Sequence, residues 1–126
     1  MGLAAHSRSH RPSDNRGVPV RDEIAELLRL PESGDGAPSL AAIESTLTDG
    51  YAAALALEAE KLRLEQRLGQ VARDAGAGQA RELALLAARL DAADGEIARL
   101  RVLLRSLQAR ARARRSAAAA AGPPRR

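Results

Sequence analysis

The sequence predicts an all-α chain: an antiparallel helical hairpin of coiled-coil type, with disordered N- and C-terminal tails. Three observations predict it. Strong helix formers dominate the composition, leucines recur at alternating spacings of three and four on both sides of a glycine pair, and the two leucine seams are out of phase by one residue. The 126 residues include 19 Leu and 29 Ala, with one Tyr and no Phe or Trp. Ala loses no side-chain entropy in a helix and Leu loses little. Val and Ile are few, which leaves little to build a sheet from.

Residues 1–20 read as a disordered basic tail, polar and turn-rich with nothing to bury. Residues 1–17 equally have the character of translated upstream sequence. A short amphipathic helix follows over 21–30. Ile24, Leu27 and Leu28 share a face, and Asp22 and Glu23 suit the positive end of the helix dipole. Pro31 stops it, and residues 31–38 form a linker of Gly, Pro, Ser and acidic residues. That short helix could dock in a groove or fold back on the bundle.

Residues 39–115 carry the hairpin, with helices over about 39–73 and 79–115 and a turn at 74–78. Ser39 is a good N-cap. From there Leu40, Ile43, Leu47, Gly50, Ala54, Leu57, Lys61, Leu64, Leu68 and Val71 alternate as the a and d positions of a heptad seam. Gly76 and Gly78 then weaken a continuous helix by roughly 2 kcal/mol. The second seam runs Leu83, Leu86, Leu90, Ala93, Ile97, Leu100, Leu104, Leu107 and Ala111. Extending the first seam would place an a position at Glu82, whereas the second starts at Leu83, and this slip marks a turn. Each rod is on the order of 50 Å long. Residues 116–126 form an Ala/Pro/Arg tail, in which Ala117–Ala121 can prolong the helix until Gly122-Pro123-Pro124.

Folding back at Ala77 sets Val71 against Leu83, Leu68 against Leu86, Leu64 against Leu90 and Leu57 against Ile97. Lys61 then faces Ala93, Gly50 faces Leu104 and Ala54 faces Leu100, small against large. The same register sets like charges on the flanks: Glu60 by Glu96, Arg67 by Arg89, Asp74 by Glu82 and Glu58 by Asp94. A parallel pair of second helices from two chains would instead match Arg89 with Asp94 and Glu96 with Arg101, so a dimer competes with the hairpin. Leu55, Leu62, Leu85 and Leu103, with Val102 nearby, broaden the apolar face beyond what one helix covers. A homo-oligomer or a partner helix is therefore expected.

Charge is unevenly spread. Residues 99–126 hold nine Arg and no acid, whereas residues 22–98 hold fifteen acids against seven bases. Arg101, Arg105, Arg110, Arg112, Arg114 and Arg115 form a cationic rod end that can neutralise phosphates without reading sequence. No aromatic residue interleaves them to stack on bases. Lys61, a charge within the seam, reads as a register-setting residue whose ammonium reaches water along its apolar stem. Tyr51 sits at a flanking e position as an edge packer.

Catalysis has no candidate. The chain has no Cys, so thiol chemistry, disulfides and zinc thiolate sites are excluded. His6 and His10 stand four apart in the tail but lack the further ligands a metal site needs. Ser45 and Ser106 stand singly on helices, and Gly-Ala-Gly at 76–78 is too short to cradle phosphate. No cofactor and no small-molecule substrate is expected. No apolar run approaches the roughly 20 residues of a membrane span, and no secretory signal opens the chain, so a cytoplasmic location is the expectation. The reading is a non-enzymatic coiled-coil interaction protein that self-associates or binds a partner helix. The alternative is a nucleic-acid-associated regulator using the Arg-rich end.

Overall fold

The computed structural model describes residues 17–74, 76 and 78–121. Among the described residues there are three helices: α1 (Gly17–Arg29), α2 (Leu40–Arg73) and α3 (Gln79–Ala121). Among the described residues there is no strand. The expected hairpin is present as α2 and α3, and α1 folds back onto it.

Helix α1 starts at Gly17, earlier than the Arg21 of the sequence reading. The physical reason is twofold. Pro19 lies in the first turn, where a missing N–H leaves no helical bond unmade. Val20 also joins Leu27 and Leu28 against the core, around a fully buried Ile24. Asp22 and Glu23 consequently fall beyond the first turn, which holds no acid. The helix closes with Leu30 N–H donating to Leu27 C=O at 3.2 Å. The linker then reverses the chain through Gly34 and Gly36, with φ of 80° and 87°. Those are left-handed conformations that glycine adopts without Cβ strain. Ala37 N–H donates to Gly34 C=O across this bend at 3.1 Å. The rest of the N-terminal tail, with His6 and His10, lies outside the described residues.

Ser39 caps α2 as its sequence position suggests. Its backbone is extended, with φ −71° and ψ 156°, and its Oγ accepts the Ala42 N–H at 3.0 Å. At the far end Asp74 N–H is shared between the Gln70 and Val71 carbonyls, both at 3.2 Å. Helix α3 resumes at Gln79, whose N–H donates to Gly76 C=O at 3.2 Å. It runs for 43 residues, so the alanine run after Ser116 is helical rather than tail. Residues 122–126 lie outside the described residues.

The register of the hairpin can be read at Gly50. A Cβ built there would stand 2.5 Å from Leu104 Cδ2, so the glycine and the leucine face each other directly. The core divides into two clusters. The larger, at the end away from the turn, joins Ile24 of α1 with Ile43, Leu47 and Ala53 of α2 and Leu100, Leu104, Leu107 and Ala111 of α3. The smaller, near the turn, holds Leu64, Val71 and Leu86, flanked by Leu68, Leu83, Leu90 and Ala93.

The flanks are not lined by like charges. Lys61 Nζ meets Asp94 at 3.0 Å, Arg67 meets Glu82 at 2.8 Å, Arg115 meets Glu44 at 3.0 Å, and Arg101 pairs with Glu58. The long side chains reach past the nearest flanking position to an opposite charge farther along the partner helix. Glu58 and Arg101 each lean toward the N-terminal end of their own helix, which in an antiparallel pair brings them together. These pairs offset the like-charge contacts that the simple register sets along the flanks of the hairpin.

Candidate interaction surface

An antiparallel hairpin has two long edges, and this one treats them differently. One edge is lined by the g positions of both helices. Away from the turn these are Thr46 and Ala53 on α2 and Leu103 and Arg110 on α3. Thr46 and Ala53 are buried and Leu103 is half-buried, because α1 lies in that groove. Helix α1 is pinned at both ends. Near its start, Arg21 Nη1 stands 3.4 Å from Glu96 Oε2, a buried oxygen that takes no hydrogen bond. At its end the Arg110 guanidinium donates to three carbonyls, Leu28 at 2.8 Å, Leu30 at 3.1 Å and Leu27 at 3.2 Å. These are the orphan acceptors of a helix C-terminus, where a cation is also favoured by the dipole.

The other edge, made of e and b positions, is open. Tyr51 (42% exposed), Leu55 (72%) and Leu62 (54%) lie along it on α2. Spacings of four and seven keep these three side chains on one stripe. Beside them Tyr51, Ala54, Arg101, Leu104, Arg105 and Gln108 line a shallow cleft of about 180 Å³. Leu85 and Val102, also exposed, point elsewhere, at c and f positions of α3. Leu103, the remaining leucine off the seam, is the one that α1 covers.

The seam residues fall inside. Ile43, Leu47, Leu64, Val71, Leu86, Ile97, Leu100, Leu104 and Leu107 are buried, and Leu40, Leu57, Lys61, Leu68, Leu83 and Leu90 are half-buried. Lys61 is held by Asp94, and that hydrogen bond and charge raise its pKa above the ordinary lysine value.

The arginine cluster is brought together only in part. Arg110 is committed to the end of α1, Arg114 donates to the Pro38 carbonyl, Arg115 grips Glu44 through Nε and Nη2, and Arg101 pairs with Glu58. Arg105 and Arg112 are exposed, with no ion-pair partner within 4.0 Å among the described residues.

Sequence reasoning missed Thr46, Ala53 and Arg110 as the seat of a third helix. The signal was present. The g positions near the turn, Glu60, Arg67, Glu82 and Arg89, are charged, whereas those farther out on α2 are small or apolar. A flank that turns apolar over half its length marks where another helix lies. Among the described residues no group of carboxylates or histidines is placed to hold a metal, and no helix is long and apolar enough to cross a membrane. Comparison with family models, with curated proteins and with solved structures gave no match.

Proposed function

We propose that this protein is a non-enzymatic helical interaction module whose working surface is the open e/b edge of the hairpin. The observation that supports it is the stripe of Tyr51, Leu55 and Leu62, which stays exposed beside a seam whose residues are buried or half-buried. Leu55 contributes nothing to the core and exposes 72% of its surface. Exposed apolar side chains lying together on one face, beside a cleft and rimmed by charge, have the character of an association surface.

The alternative, polyanion binding through the Arg-rich end, draws less support. Arg101, Arg110, Arg114 and Arg115 already hold the fold together, which leaves Arg105 and Arg112 as the uncommitted members of that set of six. Such a surface would bind nucleic acid weakly, with a salt dependence no steeper than about two phosphate contacts give.

A Leu55→Glu/Leu62→Glu double variant tests the reading. It is expected to keep helix content and thermal midpoint, since neither side chain is buried, while losing the associations of the wild-type protein. Affinity capture compared between the two proteins, alongside sedimentation, makes the measurement. Identical association by both proteins, or salt-sensitive retention on DNA that depends on Arg105 and Arg112 alone, overturns the reading in favour of the alternative.

A further inference from the structure

Resting on that reading, we propose that the occupant of the open edge is a second copy of this chain, packed face to face and antiparallel, with its twofold axis crossing α3 at Ala98.

The b positions along the open face of α3 are Ala84, Asp91, Ala98, Arg105 and Arg112. Asp91 and Arg105 are both exposed, and neither has an ion-pair partner within 4.0 Å among the described residues. They lie one heptad either side of Ala98. A twofold axis perpendicular to the helices at that point brings Arg105 of each copy to Asp91 of the other, twice per dimer. It also brings Ala98 against Ala98, where two helices can approach closely.

Helix α2 gives the same axis independently. Its exposed b-position leucines, Leu55 and Leu62, are centred between Glu58 and Ala59. An axis there sets Leu55 of each copy on Leu62 of the other. The hairpin register decides whether the two axes are one. Glu58 is paired with Arg101, and Lys61 with Asp94. Gly50 stands opposite Leu104, so the centre of the leucine pair on α2 lies beside residues 95 and 96 of α3, about 4 Å along the rod from Ala98. The lean of side chains toward the N-terminus of their own helix, seen in the Glu58–Arg101 pair, takes up most of that offset, and a single rotation serves both helices. In face-to-face packing with this axis α2 covers α2 and α3 covers α3, as both pairings require.

Three further features fit. Thr48 comes opposite Gly69, two small residues. Asp94 comes near Arg101 of the second copy, extending the Lys61–Asp94 and Glu58–Arg101 pairs into one network. Glu58 approaches its own counterpart at the axis, with Arg101 already at its carboxylate in each copy. The face is two helices wide and about 50 Å long, on the order of 1,000 Å² per copy, which matches a standard specific interface. Helix α1 lies on the opposite edge and is untouched.

The test is oligomeric state with charge reversal. Sedimentation equilibrium of the full chain is expected to show a dimer. Arg105→Asp and Asp91→Arg should each weaken it by about tenfold or more, since each creates two like-charge contacts per dimer. The double variant Arg105→Asp/Asp91→Arg should recover it. The cysteine-free chain allows a second readout. Ala98→Cys should oxidise to a disulfide-linked dimer, whereas Ala109→Cys on the outer face of α3 should not. A wild-type monomer overturns the proposal, as does a dimer indifferent to both reversals and uncrosslinked at Ala98. A monomer whose partner capture still depends on Leu55 and Leu62 overturns this inference and leaves the interaction reading standing. A monomer with no association dependent on those leucines overturns both.

Discussion

The two ends of the hairpin share one seam but differ in how well it is sealed. Away from the turn, α1 lies over α2 and α3, and Ile24, Ile43, Leu100 and Leu107 are fully or almost fully removed from water. Near the turn two helices stand alone. There Leu64 keeps 8% and Leu86 5% of their surface, and their neighbours Leu68, Leu83 and Leu90 are only half-buried. Two helices can shade a seam but cannot enclose it. A third closes one side and converts a coiled-coil stripe into a core. The g positions record the difference: Thr46, Ala53 and Leu103 lie under α1, whereas Glu60, Arg67 and Glu82 line the open end.

The largest effect that could break this comparison is a truncation in the sealed end. Ile24→Ala removes a side chain with no exposed surface from the centre of the three-helix cluster. It should cost about 3–4 kcal/mol, near the upper range for such deletions. Leu64→Ala, beside water at the two-helix end, should cost about 2 kcal/mol because solvent and neighbours can relax into the gap. Chemical denaturation of both variants checks the pair. Equal losses would mean that α1 adds no burial of consequence.

Next in size is the latch on α1. Arg110→Met keeps most of the apolar stem but takes the guanidinium from three carbonyls at the helix end, of which that of Leu27 keeps the Leu30 N–H as a donor. Charge-assisted hydrogen bonds are worth about 1.5–3 kcal/mol, so a loss of about 2 kcal/mol is expected from thermal unfolding. Hydrogen exchange should localise the effect, with amides of α1 losing protection first while those around Val71 and Leu86 keep theirs.

Glycines sharpen the contrast because the same change should have opposite signs at the two ends. At Gly50 an added Cβ meets Leu104 Cδ2 at 2.5 Å and Ile24 Cδ1 at 3.4 Å, both inside the sealed core. Gly50→Ala should therefore destabilise by about 1 kcal/mol, with overpacking exceeding the gain in helix propensity. At Gly69 the nearest contact is the flexible Arg73 guanidinium at 3.6 Å. Gly69→Ala should stabilise by about 0.5–1 kcal/mol. Thermal midpoints of the two variants, moving in opposite directions, are the expected result.

Much of this architecture was legible in the sequence, for reasons that can be located. The hairpin is carried by strictly local signals: leucine spacing, the Ser39 cap, and the phase slip across Gly76 and Gly78. The facing of Gly50 and Leu104 follows from the register alone. What could not be read from the seams was non-local. Helix α1 is legible as a short amphipathic segment able to dock in a groove or fold back on the bundle, but not its seat, since where it packs depends on Thr46, Ala53 and Leu103, residues far from it in the chain. The ion pairs were misread because flexible arms select partners by charge rather than by nearest position. Within the arginine cluster the acceptors of Arg110 and Arg114, the carbonyls of Leu27, Leu28, Leu30 and Pro38, are backbone atoms that no residue pattern advertises. Those of Arg101 and Arg115 are Glu58 and Glu44, far away in the chain.

The smallest expected effect lies where the two ends meet, at Lys61. This is the chain's single lysine beside 19 arginines, so its titration can be followed without overlap from any other lysine. Its ammonium is held by Asp94, first through the hydrogen bond and then through charge, with Glu65 adding to the attraction and slight desolvation opposing it. The folded chain thus keeps the Lys61 proton more tightly than the unfolded chain does. The pair's contribution is complete below the ordinary lysine value near 10.5 and fades as pH rises through the raised folded value. In Asp94→Asn both the hydrogen-bonded charge pair and most of this alkaline loss should disappear. The stability gap between wild type and variant should accordingly narrow with rising pH, and the Nζ resonance of Lys61, followed by NMR, should titrate at lower pH in the variant. Unchanged titration would mean that Lys61 reaches water without Asp94, and that the boundary between the sealed and open halves is set by packing alone.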